Sequence, residues 1–595
     1  MRAVFVFLFL CLSLVLPAQV EPWEKAALSI CGAGSIEELD EESWSRFQEW
    51  AEHPLSLNTA SLFQLRQSGL MSDYQCAVLD DYRRRYGDIW SWTELACLDG
   101  FSSLFVEALR MFTYLESDLP LSQSSMSVGR IRHEAVVRTT YKGEGVPGRG
   151  ADKGTAAAKY RFSWGERVRA AIGGNGSWGG GSKGVFSAPR FYVAYSGKRY
   201  LEQLVVGDFN ARFSQGLCLW SGFSMSGFSS IGSFGRTGSG IVPYWSYSNG
   251  AALRGVALCL SPGKWSISTL LNLSGLMQRG KITEEEALYV DVRRRTRHGT
   301  YALTAGIFPL ENEGVQGQIG KISRLGGRIS LSAHRSFQGW NVFGESCLEI
   351  ASQKPSPALV CGLNTTLFDQ WEMAASFRYY APSFSGDRSG AQRAGSSCKN
   401  ELGGALGVQY KGFFCSADAC LHPQSRESSL RRTGQFKAVV SYEKALGEKW
   451  EVQARGQVRL RNYDEKQKYD FRVDGQYKSS VFRASAGLSL CHCEKWGVLG
   501  HAEQALIYPW GAFYLKECLF SASQWADRLY LYSREAPGNF SVPAYYGKGW
   551  SLSLYANGRI GRHWKLYLKG DMRSFLYKAT RKFNYSLSVQ LGLDF

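Results

Sequence analysis

The side chains whose type and spacing set up chemistry are basic and alternate with apolar neighbours. Arg130, Arg132, Arg138, Arg455, Arg459, Arg461, Arg472, Lys565, Lys569 and Arg573 all fall on the polar phase of two-residue repeats, as do Lys142, Arg161, Arg167 and Arg169. On a strand, such spacing puts every one of these cations on one side of a sheet. If that side encloses water, it forms a lumen that favours anionic solutes or polymers. The same side also carries Glu134, Glu451, Asp470, Asp474 and Asp571, so a salt-bridged interior that satisfies itself is the alternative.

Other chemistry lacks its constellation. There is no G-x-S-x-G elbow, and the glycine-rich run 173–184 lacks the G-K-[ST] order of a phosphate loop, so it reads as a flexible loop. His133-Glu134 begins like a metalloprotease helix, but Val137 stands where the second histidine belongs. A lipid hydrolase would need a serine–histidine pair on the lipid face, and the spacing of the 8 histidines supplies none. None of the 14 cysteines forms C-x-x-C, which removes support for a zinc or thioredoxin-like site; most read as small hydrophobes. The reading is non-enzymatic, with no cofactor or metal implied.

What elements position the cations? The chain has 595 residues, with 65 glycines, 44% apolar and 20% charged residues, which excludes a disordered chain. A mean hydropathy of −0.22 and the lack of an internal run of 18 apolar residues exclude a polytopic helical membrane protein. Arg2, the apolar run Val4 to Leu16 and the small-residue end Pro17-Ala18 read as a signal peptide, 1–18. The mature chain is thus expected to be exported.

Charge divides the remainder. Residues 19–120 hold 18 acidic and 7 basic residues, a net of −11, whereas the whole chain carries +17. The boundary is placed near Leu119-Pro120. The acidic part reads as five short helices within 36–115. Ser35 precedes an acid-rich first turn (Glu37, Glu38, Asp40, Glu41), Leu57-Asn58-Thr59-Ala60-Ser61 and Ser72 offer caps, and Gly87 and Gly100 offer stops.

Beyond 120 the period changes to two. Phe583, Tyr585, Leu587, Val589, Leu591, Leu593 and Phe595 alternate with Asn584, Ser586, Ser588, Gln590, Gly592 and Asp594. Residues 451–461 alternate likewise, and the polar turn 464–467 leads to a return strand through Phe471, Val473 and Tyr477. One greasy and one charged face, with Trp550, Trp564 and Phe595 at strand ends, fit a membrane barrel whose strands need about nine to eleven residues. The fold class expected for 121–595 is a large antiparallel transmembrane β-barrel of roughly 20 to 26 strands. Ser221 to Asn249, dense in Gly, Ser and aromatics without clean alternation, is expected to fold inward or lie outside as a loop.

Leu57-Asn58-Thr59-Ala60-Ser61, Gln75, Tyr82-Arg83, Gly87, Glu94-Leu95 and Asp99-Gly100-Phe101 resemble, in that order, the paired helix-hairpin-helix domains of competence DNA receptors. With the barrel, the layout is similar to exported bacterial proteins that carry such a domain before a large outer-membrane β-structure. Gly207-Asp208-Phe209, Gln215-Gly216-Leu217, Trp220-Ser221-Gly222 and Arg254-Gly255-Val256-Ala257 resemble that family's barrel motifs. The resemblance implies phosphate-binding turns at Gly69, Leu70, Met71, Ser72 and at Gly100, Phe101, Ser102, Ser103. Each turn keeps its first glycine but has Met71 or Ser102 where close phosphate approach demands no side chain, and the acidic charge repels DNA.

The reading is therefore an outer-membrane barrel of a Gram-negative bacterium with its helical part in the periplasm, serving a transport or secretion-linked conduit. The helical part would dock on or in the barrel by complementary charge, plugging it or recruiting a periplasmic partner. Its other partner is membrane lipid. Capture of DNA is the alternative, and a lipid hydrolase stands behind both.

Overall fold

The computed structural model describes residues 22–115 and 131–595, less 146–151, 166, 180–181, 187–188, 198–199, 225, 247–251, 280–285, 297–298, 311–323, 338, 352–354, 369, 465–466, 480 and 577–582. The expected signal segment and Arg130 lie outside the described residues.

Period-two patterning becomes a closed antiparallel ring. From Ile131–Glu144 each strand pairs with the next, through Trp450–Arg461 and Lys468–Lys478, to Phe583–Asp594, which pairs back onto Ile131–Glu144 with Glu134 opposite Asp594. The ring has 24 strands, within the expected range; Ser182–Phe186 and Gly240–Pro243 are short additions to it. The terminal phenylalanine seals the seam. The His133 N–H donates to the Phe595 carbonyl at 2.7 Å, the Phe595 N–H donates back at 3.0 Å, and the two rings stack at 4.7 Å.

Closure removes both sheet edges, so every strand N–H and C=O can be paired without water. The outward phase is apolar and bare: Leu331, Leu406, Leu519 and Leu587 are exposed. The inward phase holds the charges. Arg378, 1% exposed, pairs with Glu401 and donates to Asp418 at 2.8 Å. Replacing it by methionine leaves two buried carboxylates without a counter-charge, at a cost of about 3–5 kcal/mol. The Arg378→Met barrel is expected to lose its heat-resistant gel mobility at a clearly lower temperature than the wild type; an unchanged transition would contradict this.

The connections differ sharply between the two rims. At one rim the turns are as short as Lys411-Gly412 and Pro509-Trp510; at the other, segments such as 213–239, 381–400 and 523–546 intervene between strands. Both ends of the barrel segment, near Ile131 and at Phe595, lie at the short-turn rim. The glycine-rich run 173–184 is a correction to the sequence reading: Val168–Gly179 is a strand, not a loop. Its Trp178 covers a glycine on the neighbouring strand. A Cβ at the facing Gly154 would meet the Trp178 ring at 2.1 Å.

The segment 22–115 is helical: Pro22–Cys31, Glu41–Glu52, Leu62–Ser68, Asp73–Tyr86, Trp92–Ala96 and Ser103–Leu109. Ser61 and Ser72 each form a full capping box, with Gln64 and Gln75. The first acid-rich helix starts later than Ser35 suggests. Ile36–Glu38 is a single 3₁₀ turn, and Asp40 caps the helix by accepting from the Ser43 N–H. Leu57, Leu65, Leu79, Leu95, Leu109 and Phe112, each fully buried, form the centre of the module's own core. A two-residue parallel pairing of Leu55-Ser56 with Thr113-Tyr114 ties its two ends together.

Candidate functional site

The helical module sits inside the ring. Its side chains reach the inward phase of strands on every side. Glu49 accepts from Arg161 at 2.6 Å, Glu52 from Lys565 at 2.6 Å and Glu37 from Arg472 at 2.9 Å. Glu42 accepts from Arg212 at 2.6 Å, Lys25 binds Glu451 at 2.8 Å, and Glu38 pairs with Arg455 and Asp73 with Arg293. A body touching strands all around a closed ring is enclosed by it.

Most of these contacts lie near the short-turn ends of the strands. Deeper in, the turn 32–42 meets segments that fold inward from the other rim. Glu38 accepts from the Ser229 hydroxyl at 3.0 Å, Glu41 from Ser246, and Glu37 from the Tyr532 N–H at 3.0 Å. Trp44 packs on Tyr532 and Phe540. The described part of Ser221 to Asn249 therefore folds inward, and 523–546 joins it, which the sequence did not single out.

Burial would raise the Glu37 carboxyl, but Arg472 and the Tyr532 N–H outweigh it and hold it at about 2. Burial acts likewise on Glu49, and Arg161 overturns it, keeping that carboxyl below its usual range. Glu41 goes the other way, because burial dominates and raises it.

Three further carboxylates tie the wall and the segments at the long-loop rim. Glu345, on the strand Trp340–Ile350, accepts the N–H groups of Gln215, Leu217 and Cys218 at 2.8, 3.1 and 3.3 Å. Asp527 accepts those of Cys493, Glu494 and Lys495 at 2.8, 2.9 and 2.9 Å. Asp208 takes a bidentate grip from Arg254, both bonds at 2.7 Å. Gln215-Gly216-Leu217 is thus an anchor point of the inward loop, whereas Asp208 and Arg254 lie opposite each other on neighbouring strands and tie the wall beneath it. No short-range signal reveals Glu345 or Asp527, because each is more than 30 residues from the groups it binds.

Of the cations singled out above, Arg132 contacts His53 at 2.6 Å, and Arg138 meets Asn539 and Glu535. Arg461 donates to Gln435 at 2.8 Å, and Arg459 keeps a buried Nε without a hydrogen-bond partner. Lys569 binds Ser533 and Glu535 at 2.8 and 2.7 Å, and Arg573 donates to the Ala544 carbonyl at 3.1 Å. Arg455, Arg472 and Lys565 hold the module, as described. The cations do not converge on one point; they encircle the plug and the loops.

The two helical turns face each other. Gly69 and Gly100 adopt φ of 67° and 85°; Tyr74 donates to Asp99 at 2.6 Å and Gln75 to the Gly100 carbonyl at 2.7 Å. Leu70, Met71 and Phe101 are buried, and the Ser72 and Ser102 hydroxyls accept from the Gln75 and Phe105 N–H groups. Ser103 opens the last helix. The Asp99 carboxylate also accepts from Ser336 of the barrel wall at 3.2 Å. Four described histidines, His53, His133, His422 and His563, hydrogen-bond to Arg132, Tyr160, Thr433 and the Asp594 carbonyl, His501 lies 3.5 Å from Asp474, and among the described residues no serine hydroxyl binds a histidine.

At Gly32 the plug backbone runs close against the loop backbone. It ends its helix with a φ of +69°, and a Cβ there would lie 2.6 Å from the Ser233 nitrogen and 2.7 Å from the Gly232 carbonyl carbon. Alanine adds left-handed strain of about 1–2 kcal/mol and a backbone collision. Gly32→Ala is expected to expose 22–52 to limited proteolysis in folded barrels; wild-type resistance would contradict that.

Beside the plug a cavity of about 1190 Å³ remains. It runs from the short-turn rim at Gly339 and Lys411-Gly412 to Ser230 and Arg236 of the inward loop, between the plug and the strands from Gly299–Leu310 to Trp450–Arg461.

Fold and lumen define an outer-membrane-type β-barrel filled by its own amino-terminal helices and inward loops. No protein-family profile and no curated protein sequence matches the chain. Solved structures similar to it include the P pilus usher PapC translocation pore, at 10% identity and a TM-score of 0.36, covering 78% of this chain and 99% of that one. The copper transporter OprC aligns at 8% identity and a TM-score of 0.39, covering 79% of this chain and 81% of that one. The siderophore receptor PirA from Pseudomonas aeruginosa gives 9% identity and a TM-score of 0.39 over 79% of this chain and 81% of that one.

Proposed function

We propose that the chain is a gated conduit of the outer membrane, with residues 22–115 as its plug. The observation that carries this reading is the circle of ion pairs between an acidic module and a basic lumen: the plug is held by contacts that can be exchanged for water without unfolding the barrel. In barrels of this kind, short turns face the periplasm and long loops the exterior. That rule places the plug at the periplasmic mouth, where a periplasmic partner could reach it. A solute passes when the plug shifts and widens the cavity beside it.

Planar-bilayer recording of the full chain tests this. Long closed periods broken by large openings are expected, and more frequent opening as salt rises and screens the pairs with an exposed member, those of Lys25 and Glu49. A constantly open pore, or silence even after the plug's acidic contacts are removed, would overturn the reading.

A further inference from the structure

We propose that the cavity between plug and barrel wall binds a neutral polyhydroxylated oligomer, a solute of the oligosaccharide class; its use as a transport site rests on the conduit reading. Elsewhere in the lumen, inward side chains pair with the plug. Here they do not. Asn341, Asn364, Thr366, Gln409, Ser441 and Gln453 line the cavity from successive strands. None of them forms a side-chain hydrogen bond to another described residue, and the Asn364 Oδ1 is buried without a partner. Each is uncharged, and together they offer amide and hydroxyl donors and acceptors that only water or a ligand can satisfy.

The opposite wall carries an apolar patch among the polar groups Asp99, Ser102 and Glu107. Leu98, Phe101, Leu104, Phe105 and Met111 of the plug border the cavity, and Leu104 is 60% exposed. A slot with one hydrogen-bonding wall and an aliphatic and aromatic patch facing it matches a sugar ring, whose hydroxyls point outward around its edge and whose C–H faces are apolar. The volume of about 1190 Å³ exceeds the roughly 300–1,000 Å³ of a small-molecule site, which favours several linked units over one.

Charges bordering the slot are largely neutralised within the protein. Asp73 is held by Arg66 at 2.7 Å and by Arg293, Asp99 by Tyr74 and Ser336, and Glu443 by Lys25. Glu372 and Glu107 add carboxylates that form no hydrogen bond or ion pair with other described residues. Lys411 and Arg236 border the slot as well, so five acids (Asp73, Asp99, Glu107, Glu372, Glu443) face five bases (Lys25, Arg236, Arg293, Lys411, Lys478) and a polyanion, nucleic acid included, finds no net counter-charge to offset its desolvation.

Calorimetric titration of the detergent-solubilised full chain tests the site, with maltohexaose as probe and hexagalacturonate as its anionic counterpart. Saturable binding of the neutral hexamer is expected, with the anionic one at least about tenfold weaker. The triple variant Asn364→Leu, Gln409→Leu, Gln453→Leu should bind about a hundredfold more weakly. The near-isosteric Thr366→Val, which leaves packing intact, should bind about fivefold more weakly. No saturable heat, equal affinity for both hexamers, or unchanged affinity in folded variants would overturn the proposal. Absence of binding with normal gated conductance refutes this site alone, whereas binding with a silent bilayer refutes the conduit reading alone.

Discussion

Neutralising Glu37, Glu38, Glu42 and Glu49 together as glutamines opens the barrel. These carboxylates meet Arg472, Arg455, Arg212 and Arg161 on four different strands. Exposed ion pairs contribute at most about 1 kcal/mol, but the Arg212 and Arg161 side chains here are only 6% and 17% exposed. Even at about 1 kcal/mol each, the four changes shift the closed-to-open balance by about 4 kcal/mol, close to a thousandfold. Glutamine preserves shape and some hydrogen bonding, so the module's own core, centred on Leu65 and Leu79, stays intact. The expected record in planar bilayers is a shift from mostly closed to mostly open at moderate salt. Gating like the wild type would show that these pairs do not hold the plug.

Acid should do the same reversibly. The docked Glu37 carboxyl lies at about 2 against an ordinary value of 4.5. Because the docked value is the lower one, the pair's contribution is fully present above about pH 4.5 and is lost as the pH falls from there toward about 2. The difference corresponds to about 3 kcal/mol. Glu49, also held below its ordinary range by Arg161 despite burial, adds in the same direction. Glu41, raised by burial, partly opposes them, since its docked form takes up a proton more readily. Opening probability should therefore climb between about pH 4.5 and about pH 2, and Glu37→Gln should flatten much of that climb. A flat profile in the wild type, or closure on acidification, would contradict the assignment.

The strands were legible because hydrocarbon on one side and water on the other impose a strict period of two. The alternation from Phe583 to Phe595 and the hairpin across 464–467 need no tertiary information, and the 24-strand ring falls inside the range that they gave. Helix ends in 36–115 were legible where a cap was local, as at Ser72 and Gly87, and misplaced at Ser35, where the acids lead into a 3₁₀ turn before Asp40. Gly173, Gly174 and Gly176 hid a strand because a run of glycines carries no side chains to show the period of two, although the backbone of Val168–Gly179 pairs throughout.

Who pairs with whom was not legible. Glu37 and Arg472 are 435 residues apart, and Glu52 and Lys565 are 513 apart. Net charge gives the sign of such encounters but not their register. The inward path of 523–546 was hidden for the same reason, since Asp527 finds its three N–H partners across a distant turn.

Zero-length carbodiimide coupling of the native chain in isolated outer membranes, read by mass spectrometry of linked peptides, probes the enclosed plug without any mutation. Glu52 lies 2.6 Å from Lys565 and Lys25 lies 2.8 Å from Glu451, while Lys569 and Glu535, 2.7 Å apart, form an internal control that does not involve the plug. Links from Glu52 to Lys565 and from Lys25 to Glu451 are expected alongside the control. The control link without either of the other two would place the helices outside the lumen.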